Sequence, residues 1–172
     1  VGRRTVLSSE FKSALAKLGD TSIQVISHQA RLVQTIPMDE EDEKLQRANA
    51  QVDDGANFQW GVVIASGMVA FRLKFWVKSA NVIVEADVAV NWEVLPEAKL
   101  SDDEVKSFML EYGAAATHGA ALTVLHMDLQ LLATNGAFRF SIEKELLSDL
   151  ENNFDSRVTH ISVSETDNAD SH

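Results

Sequence analysis

One stretch, residues 68–95 with the sequence MVAFRLKFWVKSANVIVEADVAVNWEVL, restricts what this chain can fold into. It divides at Lys78-Ser79-Ala80-Asn81 into two runs in which residues alternate with period two, as in a strand with one dry and one wet face. In the first run Phe71, Leu73, Phe75 and Val77 share one face and Arg72, Lys74 and Lys78 the other. In the second, Val82, Val84, Ala86, Val88, Val90, Trp92 and Val94 lie opposite Ile83, Glu85, Asp87, Ala89, Asn91 and Glu93. The linking residues are turn formers of hairpin length. The stretch reads as a long antiparallel hairpin whose basic and acidic rows stand side by side and pair across the strands.

The chain has 172 residues, 45% of them apolar, which suits a single domain with a sizeable core. It has no cysteine, so it carries no disulfide frame, thiolate metal site or cysteine nucleophile, and it suits a reducing, cytoplasmic setting. No apolar run reaches membrane-spanning length, and the first residues lack the apolar core of a signal peptide. A net charge of −11 repels phosphate backbones and anionic membranes, so neither nucleic acid nor membrane is expected as a partner. It suits basic protein partners, and equally plain solubility.

In chain order, residues 8–18 read as a helix, with Ser8 or Ser9 as N-cap, Phe11, Leu15 and Leu18 on one face, and Gly19-Asp20 as its end. Residues 22–36 read as a strand with Ile23 and Val25 inward and a change of phase near His28-Gln29. Pro37 stops it. The run Asp39-Glu40-Glu41-Asp42-Glu43 repels itself and reads as a solvated loop before a short helical turn over 44–50. It lacks the glycine and terminal glutamate of an EF-hand, which rejects a calcium site. Residues 58–65, FQWGVVIA, form another strand that turns through Ser66-Gly67 into the long hairpin, and Pro96 ends the hairpin.

Ser101 with Glu104 is a capping box for a helix opened by Asp102 and Asp103. Phe108, Tyr112, Ala115, Gly119, Leu122, Leu125, Leu129 and Leu132 continue it as one apolar stripe, with a break or kink expected near Gly113 or Gly119. Its second half has only a narrow polar stripe of Thr123, His126 and Gln130, so it needs covering on two sides, by its own sheet and by a second copy. The expected interface positions are Ala121, Val124, Leu125, Asp128, Leu131 and Leu132. Thr134-Asn135-Gly136 stops the helix, Phe138-Arg139-Phe140 is an extended link, and residues 143–154 form a last helix with Leu146, Leu147 and Leu150 apolar. The remainder, ending ETDNADSH, reads as an acidic, disordered tail, with the domain at 1–164 and the tail at 165–172.

No catalytic or cofactor signature emerges. The histidines His28, His118, His126, His160 and His172 have no metal-ligand spacing, and there is no GxSxG or phosphate-cradling glycine loop. Glu85 with Asp87 and Asp53 with Asp54 imply no pocket. A non-enzyme without cofactor or metal is expected. Asp128 falls within the apolar arc of its helix, where it either takes Arg72, Lys74 or Arg139 as partner or reaches water. Trp60 and Trp92 suit a core. Trp76 falls between Lys74 and Lys78 on the charged face, as a contact residue or under the N-terminal helix.

The order of strand, acidic crossover, strand, long hairpin, two-part helix and terminal helix resembles the SecB-like export chaperones, especially their divergent actinobacterial members. The stretch ADVAVNWEVLPEAKLSDDEVKSFMLEYGAAATHGAALTVLHMDLQLLATNGAFRFSIE carries the resemblance, together with Phe58-Gln59-Trp60 and MVAFRLKFWVK. Thr123, Val124 and His126 stand where the family's long helix usually has a proline–tyrosine pair and an arginine. The resemblance implies an α+β fold: a four-stranded antiparallel sheet with helices on one face, assembled as a dimer of dimers. It implies a holdase for non-native polypeptides that passes them to the export motor ATPase or protects an antitoxin. Client contacts are then expected from Phe58, Trp60, Val62, Ile64, Phe75 and Trp76. Contacts to a basic partner are expected from Glu85, Asp87 and Glu93. The competing expectation is a structural or adaptor protein that uses the fold only to oligomerise.

Overall fold

The computed structural model describes residues 7–32, 40–41, 44, 55–79, 82–131 and 142–161. Helix α1 (Ser9–Lys17) runs directly into strand β1 (Leu18–Leu32). Strands β2 (Gly55–Ala65), β3 (Met68–Ser79) and β4 (Val82–Val94) follow. Then come helix α2 (Asp102–Phe108), a π-helical turn (Met109–Gly113) and helix α3 (Ala114–Leu131). Helix α4 (Glu143–Asn153), a 3₁₀ turn (Phe154–Ser156) and strand β5 (Val158–Ile161) complete the described chain. The expected features at Pro37, Asp42–Glu43, residues 45–50, Asp53-Asp54, Leu132, residues 134–140 and the tail 165–172 lie outside the described residues.

The sheet has five strands in the order β1-β4-β3-β2-β5 rather than four, and it is mixed. The ladders β1–β4, β4–β3 and β3–β2 are antiparallel, whereas β5 lies parallel to β2. The hairpin of β3 and β4 forms the centre, with Phe71 opposite Val90, Leu73 opposite Val88 and Phe75 opposite Ala86. These residues, 0–2% exposed, make the floor of one hydrophobic core. Its roof is Phe11 and Ala14 of α1, Val105 and Phe108 of α2, Met109, Ala121 and Leu125 of the π-turn and α3, and Leu146, Leu150 and Phe154. Helices α1 to α4 therefore cover one face. Each fully buried Phe or Leu stabilises the fold by about 1.5–3 kcal/mol relative to exposure.

The helix ends follow from local chemistry. The Ser8 hydroxyl accepts from the Phe11 amide at 3.1 Å and caps α1. Ser101 and Glu104 close a reciprocal capping box on α2. Glu104 also accepts from Ser13 and, at 2.6 and 2.8 Å, from the Lys17 ammonium, so one carboxylate clamps α1 to α2. α1 ends at Lys17, before the expected Gly19-Asp20 stop, because Leu18 is already extended and pairs with Val94. The irregularities of β1 fall at Leu18–Thr21 and Val25–Ser27 rather than at His28-Gln29.

The break expected near Gly113 is a π-turn in which the Ala114 amide reaches back to the Met109 carbonyl. The extra residue advances the helix phase by about one position. Downstream of it the buried face is Ala114, Thr117, His118, Ala121, Leu125 and Asp128, whereas Tyr112, Ala115 and Gly119 of the expected stripe are exposed. Gly113 sits where a Cβ would lie 2.5 Å from Met109 Sδ and 3.4 Å from the Trp92 ring, so a side chain there would have to push the buried Met109 thioether aside. Gly113→Ala is expected to lower the unfolding free energy in urea by about 1–3 kcal/mol through overpacking.

Two groups tie the fold to pH. The Lys17 ammonium, the Ser13 hydroxyl and the Ser101 amide hold the Glu104 carboxyl down from 4.5 to about 2. Burial lowers His118, which packs against Phe75 with ring centroids 5.9 Å apart, below its ordinary 6.5. In both cases the unfolded chain takes up the proton first, so stability is full above the unfolded pKa and is lost as pH falls. Thermal melts are expected to decline first below pH 6.5 and again between 4.5 and 2. His118→Phe removes the first decline, and Glu104→Gln removes the second.

Candidate functional site

The outer face of the β3–β4 ribbon carries the paired charge rows. Arg72 donates to both carboxylate oxygens of Asp87, at 2.8 and 2.6 Å, and Lys74 Nζ lies 3.1 Å from Glu85. Asp87 is 4% exposed, so its charge is spent inside the sheet. The two acidic residues expected to meet a basic partner are thus neutralised by their own sheet, and Glu93 alone of the three is exposed. Trp76 lies on this face, half-buried, in register with Glu85 and Asn57.

Of the expected client residues, Trp60, Val62 and Phe75 are buried at 6%, 1% and 0%. They face the helices, because alternation places Trp60 opposite Leu73 and Val62 opposite Phe71. Trp60 stacks on Phe71 at 5.7 Å and donates its indole N–H to Asp149 at 2.6 Å. Phe58 and Ile64 are half-buried. Of the expected interface on α3, Ala121, Leu125 and Asp128 are buried against the sheet and Val124 is half-buried; among the described side chains of α3, Met127 is a large apolar residue left outside, at 62%.

Asp128 is 4% exposed, and its partner is neither Arg72 nor Lys74. His28 of β1 reaches both of its carboxylate oxygens from Nδ1, at 2.9 and 3.0 Å. The pair ties the edge strand to α3. His28 is itself half-exposed, and a surface change of that kind ordinarily moves stability by no more than about 0.5 kcal/mol. Because it removes the partner that the buried Asp128 carboxylate has among the described residues, His28→Ala is expected to cost about 1–3 kcal/mol in a urea titration.

Among the described residues, two partly apolar surfaces stand out. One is β1 itself. Among the described residues nothing pairs with its outer edge, and residues 21–29 are all exposed. Ile23 and Val25 point to the helix-bearing face, yet they are 63% and 46% exposed, and neighbouring Ile26 is 42% exposed. The helical layer is narrower than the sheet, and it stops short of this margin.

The other is an open cavity of about 530 Å³ at the far end of the sheet, between the β2–β3 turn and the loop from β4 to α2. Ile64, Val69, Val94, Leu95 and Leu100 make its apolar wall, and Glu97 and Lys99 line it as well. Two backbone features build it. Gly67, at φ 78°, closes the hairpin turn, and its carbonyl accepts from the Val94 amide at 2.8 Å. Glu97 holds a left-handed φ of 66°, a conformation that costs a side-chain-bearing residue energy. The volume accepts bulky apolar side chains. Ile64 is the expected client residue that reaches it. Leu95, Leu100 and Glu97 were not singled out in the sequence, because only the meeting of a turn and a loop distant in the chain makes them neighbours.

Among the described residues the arrangement offers partly open apolar surface and an unpaired β1 edge. Among the described residues no three His, Asp or Glu side chains gather as a metal site, and no described helix is long and apolar enough to cross a membrane.

Comparison with solved structures settles the architecture. The chain superposes on a Mycobacterium tuberculosis SecB-like chaperone (Rv1957), solved in complex with a ChAD peptide from the Rv1956 HigA1 antitoxin, with a TM-score of 0.55. The match covers 78% of this chain and 94% of that one at 12% sequence identity. The chain therefore has a SecB-like fold. At that identity the likeness is one of fold alone. No family model and no curated protein sequence matches the chain. Relative to the expected four-stranded form, β5 is the addition, and it lies beside the cavity: Ala65, which lines the cavity, pairs with Ile161.

Proposed function

We propose that this chain is a non-enzymatic polypeptide-binding chaperone, a holdase that shields extended apolar segments of non-native proteins or of an antitoxin. The observation that carries the reading is the open cavity at the end of β2, of mixed apolar and polar lining, where a bulky side chain can be seated against Ile64, Leu95 and Leu100 while its backbone follows the sheet. The SecB-like fold supports it, since the matched chaperone is in complex with an antitoxin peptide. A net charge of −11 keeps such a surface in solution between encounters.

In this reading the β1 margin serves assembly rather than clients. A long exposed edge with apolar side chains invites pairing, and two copies of β1 related by a two-fold axis satisfy each other's backbone. The adaptor reading rests on the same margin and differs in making assembly the whole function. Phe58, Ile64 and Trp76 stay as candidate client contacts, whereas the burial of Trp60, Val62 and Phe75 leaves them to shape the core beneath.

The two roles separate experimentally. Wild-type protein is expected to suppress aggregation of a refolding client at near-stoichiometric amounts. Leu95→Glu, a change at a 40%-exposed position, is expected to weaken suppression without altering the assembled mass. Ile23→Glu is expected to lower the mass seen by light scattering. A well-assembled wild-type protein that protects nothing contradicts the holdase reading and favours the adaptor.

A further inference from the structure

Strand β5 is an unusual occupant of the sheet. It pairs Val158–Ile161 with Val62–Ala65 in parallel, on a sheet whose other ladders are antiparallel. It covers only the end of the 11-residue β2 that borders the cavity. Val158 packs against the core, whereas Thr159, His160 and Ile161 are exposed. The strand thus gains little from burial against the entropy of fixing its backbone.

What holds it is a small clasp at its start. The Arg157 carbonyl accepts from the Val62 amide at 3.0 Å. The Arg157 guanidinium lies 5.0 Å above the Trp60 ring and 3.4 Å from Asp149, which also accepts from the Trp60 indole. Beyond the clasp there is an exposed pair of His160 with Asp102 at 3.3 Å, which water and salt weaken.

We propose that β5 is a displaceable, built-in occupant of the β2 edge. An extended apolar segment of a client takes its place, hydrogen-bonding to Val62–Ala65 and seating a side chain in the cavity walled by Ile64, Leu95 and Leu100. The inference rests on the polypeptide-binding reading and deepens it by naming the docking edge and the element that guards it. This edge already accepts an extended strand, and that strand is short, largely exposed and clasped at its start. Displacement removes Val158 from the core margin but does not itself require the Trp60–Asp149 bond to break. The device sets a threshold, since only segments that pair better than β5 bind.

The chain has no cysteine, which makes a reversible lock clean. Val63 and Thr159 are register partners, and the double variant Val63→Cys/Thr159→Cys, oxidised, ties β5 to β2. The probe is fluorescently labelled, reduced and carboxymethylated α-lactalbumin, a permanently unfolded chain. The oxidised protein is expected to bind it at least about tenfold more weakly than the reduced protein, and Thr159→Pro, which opens β5, about tenfold more tightly than wild type. Equal binding by the oxidised and reduced forms overturns the proposal while leaving polypeptide binding intact. If no form binds the probe, the polypeptide-binding reading itself fails. Hydrogen exchange of the wild type then decides on β5 separately: amides of Val158–Ile161 exchanging at least about tenfold faster than those of β3 sustain a displaceable strand, and equal protection overturns it.

Discussion

The structure depends on keeping one face of the β3–β4 ribbon dry. Phe71, Leu73, Phe75, Val84, Val88 and Val90 offer more apolar surface than a hairpin can hide by itself, and every helix is placed by the need to cover it. The layer is pinned where polar chemistry assists. Glu104 joins α1 to α2, Asp128 joins α3 to β1 through His28, and Asp149 joins α4 to β2 through Trp60. The first packs two helices together, and the other two bring a helix onto the sheet while satisfying a polar group near the core.

Coverage by that layer is uneven, and the unevenness gives the molecule its surfaces. Toward β1 the helices run out and leave a strand edge with Ile23 and Val25 uncovered. At the end of β2 the layer leaves a cavity, with β5 laid along the adjoining edge. On the opposite face, Arg72 with Asp87 and Lys74 with Glu85 convert what looks in the sequence like an acidic row into a neutral lattice. The proposed holdase reading rests on these partly apolar openings on one side and paired charges on the other.

Much of this was legible in the sequence, for local reasons. Alternation with period two in residues 68–94 marks the ribbon because both strands meet a core on one side only, and the cross-strand pairing of its charges follows from the same alternation. Ser8 and the Ser101–Glu104 box mark their helices because capping is a contact within a few residues. What escaped depends on distance or on phase. The π-turn at Met109–Gly113 shifts α3 by one position, which exposes Ala115 and Gly119 and buries Ala121 and Asp128. The dry face of Phe75 and a core place for Trp60 were legible, but the client contacts expected of Trp60, Val62 and Phe75 were not compatible with the helices that cover them from elsewhere in the chain. β5 escaped because VTHI is short, half polar and stable only against β2.

The central claim, that the end of the β2 edge and its cavity form the polypeptide-binding surface, is tested most directly by a hydrogen-exchange footprint. Exchange would be followed with and without a saturating, permanently unfolded client. The account predicts new protection in residues 62–69 and 94–100, accompanied by loss of protection in Val158–Ile161. Client binding that leaves these amides unchanged and protects another surface instead, such as the Trp76 face, would contradict it.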